Sequence, residues 1–323
     1  MRTPALLLAL LLLAASPAVQ ADPGILLFPA IGQPGSLTVA GRVLKDLPTP
    51  GSNPLSRNVR RLVVNPLPNA EVEVAFQEQH LKVKAGRDGA FEVTFTSPPE
   101  HPFPVGKHMV EARAPWGRGV AGVQILSPDA PFFVITDFDD TIAVSNVLHP
   151  KKLVESALME DGETQPAVPG MAGFYTCLME GKPEAAPALA VVSGSPWQYV
   201  PRTGVFLSDH DFPFAGLYLR TLGPKTLSNY KQPIIRQLLS RVPNKVILIG
   251  DSGEKDPEVY AQIRREFPDR VLAVYIRKMR PTEPATRFPK MMVFTDARQA
   301  AADAMSHGYL SKACLEATFG EAK

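Results

Sequence analysis

The sequence predicts an α/β protein, a doubly wound parallel sheet preceded by a smaller all-β sandwich. Three observations carry that prediction. From Asp22 to Pro131, short segments alternate apolar and polar residues and are cut by Pro and Gly, as half-buried strands require. From Pro131 onward the apolar runs are continuous, as in parallel strands buried on both faces, and helical patterns separate them. Proline is abundant, 33 of 323 residues, and this opposes long helical bundles.

The strands of the first region are expected at Ser36–Leu44, Ala70–Phe76, Ala90–Phe95, His108–Arg113 and Gly119–Leu126, with a turn at Arg87-Asp88-Gly89. Fifteen of the prolines lie between Asp22 and Pro131, at strand edges and turns, and Asn53–Asn58 reads as an exposed loop. In the second region, strands are expected at Phe132–Thr136, Ala188–Val192, Lys245–Ile249, Val271–Ile276 and Met291–Phe294. Helices are expected at Met171–Glu180, Tyr230–Arg241, Pro257–Phe267 and Ala297–His307, the last with Asp296 as N-cap and Gly308 past its end. The length fits about two domains, placed at residues 22–128 and 131–323 behind a leader of residues 1–21.

That leader has a positive residue, Arg2, an apolar run Ala5–Ala15, and small residues at Val19-Gln20-Ala21. It predicts a cleaved export signal; Ser16-Pro17 ends the run short of the ~20 residues that span a bilayer. The expectation is an exported chain, periplasmic or secreted, with no transmembrane span after cleavage. Lys and Arg number 34 against 32 Asp and Glu, for a net charge of +2, so no broad field is present to hold a nucleic acid. Two cysteines exclude a disulfide scaffold and a four-thiolate zinc site. Because Cys177 lies in the apolar run Phe174–Leu178, two buried thiols are expected ahead of one long-range bridge.

Ligands of a doubly wound sheet bind at the carboxyl ends of its strands. After Phe132–Thr136 comes Asp137-Phe138-Asp139-Asp140-Thr141, whose carboxylates at i and i+2 can share one cavity if positive charge holds them there. A divalent cation with oxygen ligands, Mg2+, is the simplest supplier; an acidic turn with Asp140 as a helix cap is the competing reading. After Ala188–Val192 comes Ser193-Gly194-Ser195-Pro196-Trp197, either a phosphate-binding helix N-terminus or an ordinary Ser195 N-cap. After Lys245–Ile249, Asp251 emerges at a strand end, and Asp256 before Pro257 is a metal ligand, a helix N-cap, or both. Lys231, in the first turn of a helix where the dipole disfavours a cation, is preferred over Lys225 as the site lysine.

The order of these motifs resembles the haloacid dehalogenase-like phosphohydrolases, and the wording of Asp137–Thr141, Val191–Trp197 and Ile249–Tyr260 is similar to the App1-type phosphatidate phosphatase catalytic domain. The resemblance runs from about Pro131 to Gly308. It implies that Asp137 attacks phosphorus and that Asp139 serves as general acid and base. Mg2+ would be held by Asp137, the backbone carbonyl of Asp139 and Asp251, with Asp256 beside them. Ser193, Gly194 and Lys231 would bind the phosphoryl oxygens. The intervals between motifs leave no room for a large cap, so a bulky substrate such as a lipid phosphate at a membrane surface is expected. A phosphatase for soluble esters and a non-catalytic lipid-phosphate-binding module are the alternatives; the module would be expected to lack Asp137 or Asp139. Trp197, Tyr199 and Phe206 are read as lining the mouth or as core. No G-x-S-x-G elbow supports a serine hydrolase, the six histidines form no zinc pattern, and His210 reads as a loop residue.

Overall fold

The computed structural model describes residues 24–45, 65–145, 165–221 and 230–320. The leader, the loop Asn53–Asn58, Lys225 and Ser228-Asn229 lie outside the described residues. In the first region, eight strands form two sheets: β1 (Gly24–Leu27), β2 (Ala30–Gly32), β3 (Ser36–Leu44), β4 (Glu71–Phe76), β5 (Gln79–Lys84), β6 (Ala90–Thr96), β7 (Gly106–Ala114) and β8 (Gly117–Ile125). One sheet runs β1-β3-β6 and the other β2-β8-β7-β4-β5. Alternation explains their packing. On β6, Phe91, Val93 and Phe95 are buried while Glu92, Thr94 and Thr96 are exposed. These apolar faces share one core with Val39, Val74, Phe76, Val110 and Ile125. β1, β2 and β5 add to the expected strands.

The second region follows the chain as β9 (Phe133–Thr136), α1 (Met171–Leu178), β10 (Leu189–Pro196), α2 (Val200–Asp209), β11 (Ala215–Arg220), α3 (Lys231–Arg241), β12 (Val246–Asp251), α4 (Asp256–Glu266), β13 (Val271–Arg277), β14 (Met292–Phe294), α5 (Ala297–Ser306) and α6 (Lys312–Phe319). Its six-stranded sheet, β11-β10-β9-β12-β13-β14, is parallel at every pairing. The continuous apolar runs divide by parity. Val134, Leu189, Val191, Ile247 and Ile249 pack with Phe174, Phe206 and Ala300 of α1, α2 and α5 on one face. Phe133, Ile135, Ala190, Val192 and Leu248 pack with Ile235, Leu239 and Tyr260 of α3 and α4 on the other.

Two expectations are corrected. Cys177 of α1 and Cys314 of α6 form a disulfide with 5.7 Å between their Cα atoms, because α6, absent from the sequence reading, lies against α1. Pro196 ends β10 and does not start a helix; a 3-10 turn at Trp197–Tyr199 follows and leads into α2. α5 carries the expected cap, with Asp296 accepting from the Arg298 amide and Gln299 completing a capping box. Among the described residues no helix is long and apolar enough to cross a membrane.

Candidate active site

The registers of β9, β10 and β12 bring the three motifs to one edge. Thr136 pairs with Val191 on one side and Ile249 on the other, so Asp137, Ser193 and Asp251 emerge together at the carboxyl ends. The Asp137 amide donates to the Ile249 carbonyl at 3.0 Å, anchoring the first motif to the third. Carboxylate oxygens of Asp137, Asp251 and Asp256 lie within 4.8 Å of one another, and all three residues are buried. Lys231, the first residue of α3, places Nζ 2.9 Å from Asp137 Oδ1 and 2.5 Å from Asp256 Oδ1.

Burial disfavours each isolated charge here, and the groups answer one another. Burial pushes the Asp137 carboxyl well above its usual range; Lys231 opposes this, while Asp256, Asp251 and Asp139 add to it. Asp251 is pushed up to about 7, first by burial and then by Asp256. For Lys231 burial favours the neutral amine, but Asp137 and Asp256 more than offset it and hold the ammonium above its ordinary value. One cation thus faces three buried carboxylates, and the cluster needs further positive charge.

The cluster fits a metal ion. Its donors are carboxylate oxygens, suited to a hard divalent cation, and Asp137 Oδ2 is buried with no hydrogen-bond partner among the described residues. A buried acceptor left in that state costs on the order of 1–3 kcal/mol, which a bound cation would remove. Asp256, whose helix begins at its own position, is not an N-cap: its Oδ1 takes Lys231 and its Oδ2 faces the Asp251 amide at 3.4 Å. Gly250 explains how it fits, since a Cβ there would stand 2.4 Å from Asp256 Oδ2 and 2.8 Å from the Tyr260 ring.

The carboxylate of Asp139 stands outside that cluster, among hydroxyls. Ser145 Oγ donates to Oδ1 at 2.7 Å; Ser195 Oγ and Ser193 Oγ donate to Oδ2 at 2.7 and 3.3 Å. Ser193 also accepts the Ser195 amide at 3.0 Å, so Ser195 belongs to a tight strand-end turn and caps no helix. Asp140 does not cap a helix either. It adopts a positive φ of 54°, and its Oδ1 accepts the Ser145 amide at 2.9 Å, folding Ser145 back onto Asp139. Gly194 faces open space, with nothing within 4 Å of where a Cβ would sit.

Other supports were not foreseen. Arg287 donates to the Ser252 carbonyl at 2.6 Å and pairs with Glu283 and Glu258, bracing the loop between Asp251 and Asp256. Trp197 and Phe206 are buried core residues, the first beneath the Arg42 guanidinium. His210 packs at a tilt on Phe206 and bonds the Gln165 carbonyl at 3.0 Å, and it is not one of the clustered acidic groups.

Residues 132–278 match the family model described as Phosphatidate phosphatase APP1, catalytic domain. That segment is somewhat under half of the chain, and over it the sequence is similar to the App1-type catalytic domain. An uncharacterised protein of Schizosaccharomyces pombe is 29% identical over 154 residues, 45% of this chain and 24% of that one. The phosphatidate phosphatase APP1 of Saccharomyces cerevisiae is 29% identical over 156 residues, 45% of this chain and 25% of that one. The chain thus spans about a quarter of the length of these curated relatives. The structure of a carbohydrate acetylesterase from Xanthomonas citri covers 86% of this chain and 73% of its own, at 12% identity and a TM-score of 0.30, too low to carry an argument. The App1-type domain is a phosphatase domain, and its matched segment contains all the acidic and lysine residues of the cluster.

Proposed function

We propose that this chain is an exported, magnesium-dependent phosphomonoesterase acting on phosphatidate or a related lipid phosphate. In this reading residues 131–323 are a haloacid dehalogenase-like, doubly wound domain and residues 22–128 an accessory β-sandwich. The observation that carries it is the division of labour among the carboxylates. Asp137 sits with Asp251, Asp256 and Lys231, while Asp139 is held apart by three serine hydroxyls.

The division suits a two-step displacement. An oxygen of Asp137 attacks phosphorus; its bond to phosphorus forms as the bond to the leaving oxygen breaks, and Asp139 delivers a proton to the departing alkoxide. A water then attacks the aspartyl phosphate, Asp139 takes its proton, and the phosphorus bond to Asp137 breaks to free phosphate. Ser193, the Gly194 amide and Lys231 hold the equatorial oxygens whose charge grows in the transition state. Asp137, Asp251 and Asp256, with the Asp139 carbonyl, would hold Mg2+, which when bound screens the nucleophile from the substrate's charge and clamps the phosphate.

The test is phosphate release by the purified chain from phosphatidate in vesicles and from a soluble aryl phosphate, with Mg2+ and with chelator. Metal-dependent release is expected, lost by more than about 1,000-fold in Asp137→Asn. Release that persists in chelator or in Asp137→Asn overturns the mechanism. Equal turnover of the soluble ester overturns the lipid assignment alone.

A further inference from the structure

We propose that Arg220 is a substrate-binding residue that grips the phosphate group of the ester, a role that no motif of the site assigns to it. The inference rests on the phosphatase reading and deepens it.

Its position comes from the sheet. Arg220 is the last residue of β11, and the β10–β11 register pairs Ser193 with Leu219 and Pro196 with Arg220. It therefore stands one step past the level of Ser193. β9 is two strands away, so the backbone of Arg220 is about 10 Å from that of the Asp137–Asp139 strand end. A long guanidinium side chain covers much of such a gap. Its charge acts on Tyr230, the residue before Lys231, and on Glu254, in the loop between Asp251 and Asp256. Arg220 thus stands where the segments carrying Ser193, Lys231 and Asp256 converge.

Its state is the second observation. The side chain is half-buried, and Nε is buried with no hydrogen-bond partner among the described residues. It forms no ion pair with any carboxylate among the described residues. Other arginines near this edge are committed: Arg42 to Asp88, Arg277 to the Asp140 carbonyl, Arg287 to Glu258 and Glu283. Leaving a guanidinium donor buried and unsatisfied is costly unless another group supplies the acceptor.

Charge balance indicates which group that is. With Asp139 carrying the proton it delivers, Asp137, Asp251 and Asp256 bring up to three negative charges to the site, and Lys231 is already shared by two of them. A divalent cation with Lys231 would only balance those carboxylates and leave no surplus positive charge for an arriving phosphate dianion. An uncommitted guanidinium at the rim, able to offer two parallel N–H groups, supplies positive charge for the dianion where the ligand enters.

Titration calorimetry of orthophosphate with the Mg2+-loaded chain tests this without requiring turnover. Arg220→Ala is expected to weaken phosphate binding about 10- to 100-fold, with Arg220→Lys between it and wild type, and to leave the unfolding midpoint unchanged because the side chain has no partner to lose. In turnover assays KM rises more than kcat falls, for phosphatidate and for a soluble aryl phosphate alike. Phosphate affinity within twofold of wild type in Arg220→Ala overturns the proposal, as does a lowered midpoint with affinity intact, which would make Arg220 structural. Absence of phosphate release by the wild type would count against the phosphatase reading, while the calorimetric comparison would still decide the role of Arg220.

Discussion

The chemistry of the site depends on single residues whose surroundings leave no freedom. Asp137 and Asp139, two positions apart, read alike in the sequence, yet one is buried against carboxylates and lysine and the other half-buried among serines. Their types and spacing were legible because strand ends in a parallel sheet carry ligands. The serines around Asp139 were not, because Ser145 arrives only through the turn that Asp140 makes at positive φ. Ser195, two residues beyond Ser193, could have been found from that spacing. Gly250 gives the residue-scale prediction. A methyl there collides with the carboxylate of Asp256 and with Tyr260, so Gly250→Ala is expected to destabilise by about 1–3 kcal/mol and to lose metal-dependent protection in thermal melts. Gly204, exposed inside α2 with open space around it, is the contrast. Its change to Ala is expected to raise stability by up to about 1 kcal/mol, measured by urea unfolding; equal effects at both glycines would contradict the packing argument.

Elements with a strong period were legible, and those with weak or interrupted patterns were not. The five expected strands of the second region announce themselves as continuous apolar runs, most of them rich in Val, Ile and Leu. β11 does not, because Gly216, Tyr218 and Arg220 alternate with its leucines on the open edge of the sheet. α2 carries Pro201 and Gly204, which argue against a helix, although Pro is tolerated in a first turn. α6 has eight residues and a weak apolar face, since its role is to bring Cys314 to Cys177. This reverses the thiol expectation: burial of Cys177 is real, but a partner helix covers it. The bridge closes a chain segment of 137 residues, so chain entropy allows up to about 5 kcal/mol of stabilisation. Replacing both cysteines by Ala is expected to cost about 2–5 kcal/mol in denaturant unfolding, with phosphate affinity retained because the bridge lies on helices away from the acidic cluster. A loss under 0.5 kcal/mol would show that α6 is held by packing alone.

At the scale of the whole molecule, the sequence suggested two regions in series but not how they join. Backbone and side-chain bonds cross the junction repeatedly. The Leu217 amide donates to the Pro29 carbonyl at 2.8 Å, so the first region covers the open edge of β11. The Ile31 amide bonds the Tyr218 hydroxyl at 3.0 Å, and Asn244 donates to the Ser127 and Ala130 carbonyls at 3.0 and 2.8 Å. Arg42 of β3, buried, pairs with Asp88, donates to Thr221 Oγ1 at 2.9 Å and lies over Trp197, 4.8 Å from its ring centroid. It therefore braces both the turn after Ser193 and the residue after Arg220, the two places where this edge of the site is built. Such contacts join long-separated chain segments, which local sequence patterns cannot reveal. They also make separate folding of the two regions unfavourable, because cutting them would expose an unpaired sheet edge. Scanning calorimetry of the full chain is expected to give one transition with matching van't Hoff and calorimetric enthalpies. A fragment of residues 128–320 is expected to melt at least about 10 °C lower or to aggregate. Arg42→Ala is expected to lower phosphate affinity in the folded protein although Arg42 has no hydrogen bond or ion pair to Asp137, Asp139, Asp251 or Asp256. Two well-separated transitions, or a fragment as stable as the full chain, would instead make the first region an appendage and return the site to the second region alone.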